Sequence, residues 1–158
     1  MSSLVVTDEM VKKLKEYAAE FTKDLPKESL MSCEELWRLM NESDEYVLLV
    51  DTRSDVEMNV SKIKGAISYA EYLERMDTEN FPFIKTICYS TIGKRSCSVV
   101  RELLAKGVKA YSLEGGLIKW CNYEKGELVD SNGSPTHMIH VFNPDYRPLF
   151  NSSYICVY

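Results

Sequence analysis

The chain has 158 residues, enough for one domain with its own core. Its 45% hydrophobic and 27% charged residues exclude a disordered chain. With 19 Lys and Arg against 24 Asp and Glu, the net charge of −5 argues against a general nucleic-acid binder. No apolar run reaches membrane-spanning length, so no membrane partner is expected. The opening Met-Ser-Ser-Leu-Val-Val-Thr lacks a basic region and a long apolar run, and no arginine precedes Arg38. Neither a secretory signal nor a transit peptide is expected, and the location is expected to be intracellular and cytoplasmic. The cysteines are Cys33, Cys88, Cys97, Cys121 and Cys156, an odd count with no Cys-x-x-Cys spacing. That predicts reduced thiols rather than a disulfide framework or a zinc site.

Residues 8–23 read as an amphipathic helix. Met10, Leu14, Tyr17 and Phe21 recur at helical spacing, Thr7 can cap, and Pro26 stops the helix. Leu30 and Met31 form a short strand. Ser32-Cys33-Glu34-Glu35 has the capping-box pattern and opens a helix to about Asn41, with Leu36, Leu39 and Met40 inward. Tyr46 to Val50 is a continuous apolar run, expected as a central parallel strand that ends at Asp51-Thr52-Arg53. The carboxylate and guanidinium of Asp51 and Arg53 can pair there and hold neighbouring loops, a structural rather than catalytic role. Asp55 to Lys64 is polar and expected to be irregular. Gly65-Ala66-Ile67 permits a tight turn into a short strand. Residues 69–76 are expected to be helical, and Phe81-Pro82-Phe83 to turn the chain into its central strand.

Thr86-Ile87-Cys88-Tyr89 is a buried strand that feeds the loop Ser90-Thr91-Ile92-Gly93-Lys94-Arg95. A helix follows, with Val99, Val100, Leu103 and Leu104 on its apolar face and Ser96 as its expected N-cap. A strand, a Gly-containing loop and a helix N-terminus make an anion site, because free N–H groups converge on the concavity. Lys94 and Arg95 add positive charge. Gly107 signals the helix end, and Ala110 to Leu113 reads as a strand. Gly115 and Gly116 allow close backbone approach beside the loop, and Trp120 is expected to be a buried anchor. Leu128-Val129-Asp130 leads into the turn Ser131 to Pro135, and Met138 to Phe142 is a short apolar run. Tyr146, Phe150, Tyr154 and Tyr158 mark an aromatic tail expected to pack back on the domain.

Ser90-Thr91-Ile92-Gly93-Lys94-Arg95-Ser96 resembles the active-site loop of the rhodanese (sulfurtransferase) family, Cys-x-x-Gly-x-Arg-Ser after a strand ending in Tyr. Ser90 stands where the family has its cysteine. Asp51-Thr52-Arg53, the apolar frame Ile63, Gly65, Ala66 and Ile67, and Gly115-Gly116 followed by Trp120 resemble further family segments in the same order. Ser61, Lys62 and Lys64 depart from the family's Gly, His and Pro. The resemblance covers residues 29–142, leaving 1–28 as an N-terminal helix and linker and 143–158 as the tail. It implies an α/β domain with a central, mostly parallel sheet of four or five strands flanked by helices.

In the family, a cysteine thiolate takes sulfane sulfur from a donor such as thiosulfate and passes it to an acceptor such as cyanide or a protein thiol. The resemblance therefore implies a thiosulfate- or persulfide-type donor, a thiol acceptor, and no metal or organic cofactor. It places Ser90 and Arg95 at the catalytic positions and Thr91, Ile92, Gly93, Lys94 and Ser96 in the anion-binding loop. A serine hydroxyl stays protonated without a base and cannot store a persulfide. Only His137 and His140 could serve as a base, and both lie late in the chain. Cys88 is expected to be buried, and Cys97 to point away from the loop. The four residues between Ser90 and Arg95 match the sulfurtransferase loop, whereas related phosphatases use five. Little or no sulfur-transfer activity is expected. Three readings stand at this point: Ser90 replaces the cysteine of an active sulfurtransferase, or it belongs to an inactive domain that binds an anion or a partner, or the domain is structural.

Overall fold

The computed structural model describes residues 8–76 and 83–158. The expected cap at Thr7, and Phe81 and Pro82 of the expected turn, lie outside them. Five strands form one sheet: β1 (Leu30–Met31), β2 (Val47–Asp51), β3 (Ile67–Ser68), β4 (Lys85–Tyr89) and β5 (Ala110–Leu113). Their order is β1-β5-β4-β2-β3, and every neighbouring pair is parallel. The helices are α1 (Asp8–Thr22), α2 (Cys33–Asn41), α3 (Asp55–Val60), α4 (Tyr69–Met76), α5 (Lys94–Ala105) and α6 (Gly116–Asn122). No described helix is long and apolar enough to cross a membrane.

Strand alternation divides the core in two. Leu49, Ile87 and Tyr89 join Leu36, Ile63, Leu117, Trp120 and Phe150 in one cluster. Leu48, Val50 and Cys88 face the other way, against Tyr72, Cys97, Val100 and Leu103. A strand buried on both faces is apolar without alternation, which is why 46–50 could be read as central. Tyr46 itself lies outside β2 and is exposed, while Asp51 completes the strand and is fully buried.

Two expectations are corrected. Residues 55–64 are not irregular throughout, because α3 occupies Asp55–Val60. Ser54 caps it, and a full capping box joins the Ser54 side chain to the Glu57 backbone and the Glu57 carboxylate to the Ser54 backbone. Two reciprocal hydrogen bonds nucleate this single turn and a half despite its polar composition. Ser96 is not the N-cap of α5. Gly93 takes that position with φ of 101°, and Ser96 lies buried inside the first turn. Only a glycine adopts that φ without strain, so the chain enters the helix three residues earlier than a serine cap implies.

The tail folds back. After the hairpin of β6 (Leu128–Val129) and β7 (Pro135–Thr136), strand β8 (Met138–His140) pairs in parallel with β9 (Ile155–Val157). Phe150 is buried, and Tyr146 and Tyr154 pack on the core, whereas Tyr158, expected to pack back with them, is exposed. At the other end of the chain, α1 lays Met10, Leu14, Tyr17 and Phe21 against the same cluster.

Candidate active site

Ser90 follows directly on β4, beside the C-terminal end of β2, where open parallel sheets place their ligands. The loop is braced from below by α6. Leu117 N–H donates to the Ser90 carbonyl at 3.0 Å and Ile118 N–H to the Thr91 carbonyl at 3.2 Å. The first turn of α6 thus spends its unpaired N–H groups on the loop's carbonyls, which turns the loop's own N–H groups the other way. This close approach requires Gly116. A Cβ there would overlap the Ser90 carbonyl oxygen and stand 2.7 Å from that of Thr91, and φ at Gly116 is +56°. Gly116→Ala is expected to lose about 2–4 kcal/mol through overlap and left-handed strain. Urea unfolding checks this, and a loss below about 1 kcal/mol would show that α6 can withdraw from the loop.

Ser90 Oγ accepts hydrogen bonds from Gly93 N–H at 3.1 Å and Ser96 N–H at 3.3 Å. Ser96 Oγ lies within hydrogen-bond distance of the Gly93 carbonyl, to which it can donate, at 3.0 Å, and shares hydrogen bonds with the hydroxyls of Ser90 at 3.3 Å and Ser112 at 2.9 Å. Cys97 Sγ in turn donates to Ser112 Oγ at 3.5 Å. The N–H groups of Thr91, Ile92, Lys94 and Arg95 have no acceptor among the described residues, as befits a loop entering the first turn of a helix.

Arg95 does not point at a ligand. Its Nη1 and Nη2 grip the Glu57 carboxylate at 2.8 and 2.9 Å, and Nη2 also reaches Thr91 Oγ1 at 3.1 Å. The Phe142 ring covers the guanidinium, with its centroid 4.5 Å from Cζ. Burial alone would raise the Glu57 pKa, but the hydrogen bonds from Arg95 and Ser54 outweigh it and hold the group at about 2. A depressed carboxylate pKa stabilises the fold above its unfolded value near 4.5, and that stability disappears as pH falls toward 2. The expected size is roughly 3 kcal/mol. Glu57→Gln should remove this part of the acid dependence, as read from unfolding free energy at pH 7, 4 and 2.5. An unchanged acid slope would mean that the pair adds nothing.

Lys94 extends to the Tyr17 hydroxyl, 2.8 Å from Nζ, and ties the loop to α1. Above the loop is a cavity of about 330 Å³, lined by Ser90, Thr91, Ile92, Lys94, Arg95 and Ser98 with Tyr17, Phe142 and Tyr146. Neither histidine lines it. His140 Nδ1 accepts from Phe142 N–H, and His137 packs against Tyr154. Cys88 and Cys97 are buried in the core cluster that packs on α5 and do not line the cavity, and burial pushes both thiols up.

Asp51 and Arg53 support the site from the end of β2. Arg53 Nε and Nη2 donate to the Asp51 carboxylate at 3.0 and 2.7 Å, both side chains fully buried, and Nη2 also donates to the Ser61 carbonyl at 2.7 Å. Gly115 caps α6 with φ of 77°, and Trp120 is buried with its Nε1 donating to the Glu127 carbonyl. Glu57, Ser98, Tyr17, Phe142 and Tyr146 are the residues at the loop that sequence reasoning missed. Glu57 had a signal in the spacing Ser54-x-x-Glu57, whereas the three aromatics had none near the loop.

Residues 32–123 match the Rhodanese-like domain family. A tRNA sulfurtransferase of Desulfurococcus amylolyticus is 39% identical over 74 residues, which are 46% of this chain and 14% of that protein. Among solved structures, the thiosulfate sulfurtransferase of Pseudomonas aeruginosa superposes with a TM-score of 0.60 at 21% identity, over 77% of this chain and 23% of that one. The BH2092 protein of Bacillus halodurans superposes with a TM-score of 0.59 at 20% identity, over 85% of this chain and 98% of that one. At these identities the two superpositions speak for the fold, and the match to the family covers more than half of the chain. The chain belongs to the rhodanese-like domain family.

Proposed function

We propose that this domain keeps the sulfur-transfer cradle of its family without the nucleophile, so that as written it binds an anion at the loop and does not carry sulfane sulfur. One observation carries the reading: Ser90 Oγ sits at the focus of the Gly93 and Ser96 N–H groups, where a thiolate would be stabilised. An oxygen there is a hydroxyl that shares a hydrogen bond with Ser96 Oγ, and among the described residues no histidine or carboxylate is hydrogen-bonded to it to deprotonate it. Sulfane transfer needs a nucleophile that attacks divalent sulfur and then holds it as a persulfide, and the alcohol does neither. Residues 29–142 are the unit that carries the cradle, and 1–28 and 143–158 are additions to it. The donor class in keeping with the family is thiosulfate or a persulfide, and the acceptor class is a thiol.

The unpartnered N–H groups of Thr91, Ile92, Lys94 and Arg95 favour the anion-binding part of the reading. The test is a thiosulfate–cyanide assay on the purified chain. Thiocyanate is expected at background, and turnover clearly above it would overturn the proposal.

A further inference from the structure

We propose that the cavity over the loop selects a monoanion that carries an aromatic ring beside its charged group, with Phe142 and Tyr146 as specificity-determining residues. This inference rests on the loop being an anion cradle, and it adds which anion the cradle prefers.

The charge inventory favours a single negative charge. Arg95 is neutralised by the bidentate Glu57 carboxylate, which stays ionised. Lys94 is the other cation at the mouth. It is hydrogen-bonded to Tyr17 and feels the charge of Glu20. What remains is about one positive charge, with the helix N-terminus adding roughly half a charge more. A dianion such as sulfate would exceed that supply and would have to give up a large hydration free energy.

The shape favours a ring. The cavity of about 330 Å³ lies in the range of small-molecule sites, about 300–1,000 Å³, rather than that of a bare oxyanion. Its lining includes Thr91, Ile92, Lys94 and Arg95, whose N–H groups have no acceptor among the described residues, together with the aromatic rings of Tyr17, Phe142 and Tyr146. These three aromatics lie outside residues 32–123, the part matching the family. Phe142 is held in place at some expense. It is the non-glycine residue of positive φ among those described, at 68°, with its N–H bonded to His140 Nδ1 and its ring over Arg95, yet 55% of it is exposed. A left-handed backbone is strained for a Phe, and such strain persists where the surroundings over-determine it. One face of the ring is used by Arg95. Together with Tyr146 the residue leaves aromatic surface at the mouth that a ligand ring can cover.

The experiment titrates the full chain, by calorimetry and by amide NMR, with benzenesulfonate, methanesulfonate and sulfate. Benzenesulfonate is expected to bind about tenfold or more tighter than methanesulfonate, the scale of one added aromatic contact, with sulfate weaker than either. The amide signals of Thr91, Ile92, Lys94 and Arg95 should shift with both sulfonates. Phe142→Ala and Tyr146→Ala should bring the two sulfonates close to equal affinity, and an unperturbed amide spectrum away from the site would show that each variant is folded. Equal affinities in the unaltered chain, with the loop amides shifting, would overturn the ring preference while leaving the cradle intact. A ring preference that survives both substitutions would overturn the assignment of Phe142 and Tyr146. No shift of the loop amides with any of the anions would overturn this inference together with the anion-binding part of the function proposed above. Sulfur transfer by the unaltered chain would count against the inactivity reading alone.

Discussion

Ser90→Cys is expected to raise thiosulfate-dependent thiocyanate formation from background by on the order of a thousandfold or more, the scale on which loss of a nucleophile disables other covalent enzymes. The thiolate attacks the outer sulfur of thiosulfate, the S–S bond breaks, and sulfite leaves with the bonding pair. Cyanide then takes the sulfur from the persulfide as thiocyanate and returns the thiolate. Each step needs the thiolate rather than the thiol, and the loop supplies the means. Gly93 and Ser96 already direct N–H groups at this position, 3.1 and 3.3 Å from the oxygen they now hold. Sulfur needs slightly longer hydrogen bonds, so the loop must give by a few tenths of an ångström. The charge inventory moderates the effect. Because Glu57 neutralises Arg95, the amides, the α5 dipole and Lys94 do most of the acidifying. The introduced thiol should titrate below the ordinary value of about 8.5, in the upper part of the activated range of about 3.5–7.5. Activity should rise with pH through that titration and then level off. The rate of iodoacetamide alkylation against pH measures the same pKa without turnover. If Ser90→Cys alkylates as an activated thiol but does not turn over, the mouth of the cavity excludes thiosulfate. If it does neither, the loop has lost more than its sulfur atom, and the cradle reading fails.

Most of the sheet was legible because its signals are local. Apolar runs at 47–50 and 86–89 need no knowledge of their neighbours, Ala110 to Leu113 and Ile67 follow turns that glycine marks, and Leu30 and Met31 lie between Pro26 and the capping Ser32. The loop was legible because its chemistry is compact: seven consecutive residues hold the strand end, the left-handed Gly93 and the helix start. What was missed depends on longer-range facts. The polar run at 55–60 reads as irregular until the Ser54 and Glu57 pairing is seen to nucleate a helix, and only the fold shows that the same carboxylate receives Arg95. Ser96 was misplaced as a cap because serine is a good N-cap in isolation, whereas the loop's left-handed turn had already begun the helix at Gly93. Phe142 and Tyr17 lie about fifty and seventy residues from the loop. Their place at its mouth follows from the return of the tail and the docking of α1, which no periodicity encodes.

Asp51→Ala is expected to destabilise the domain by about 3–5 kcal/mol, as is usual when one partner of a fully buried ion pair is removed. Both side chains have no exposure, so screening by water does not soften the loss as it would for the exposed Glu34–Arg38 pair, where less than about 1 kcal/mol is expected. Burial alone would lower the Arg53 pKa, and the Asp51 charge more than reverses this, so the guanidinium depends on that carboxylate to stay charged where it is. Without it, Arg53 would keep the Ser61 carbonyl as its hydrogen-bond acceptor, and its Nη1 already has none among the described residues. The effect should reach the loop. Arg53 anchors the end of α3 through Ser61, α3 carries Glu57, and Glu57 holds Arg95. In the Ser90→Cys background, Asp51→Ala should therefore reduce turnover even at temperatures where the variant remains folded. The double change Asp51→Ala with Arg53→Met should recover a large part of the stability, because it removes the stranded charge as well as its partner. Urea unfolding of the two single variants and the double variant closes the cycle. Single losses that simply add would mean that the two groups act independently, each through packing, and that the pair does not organise the site.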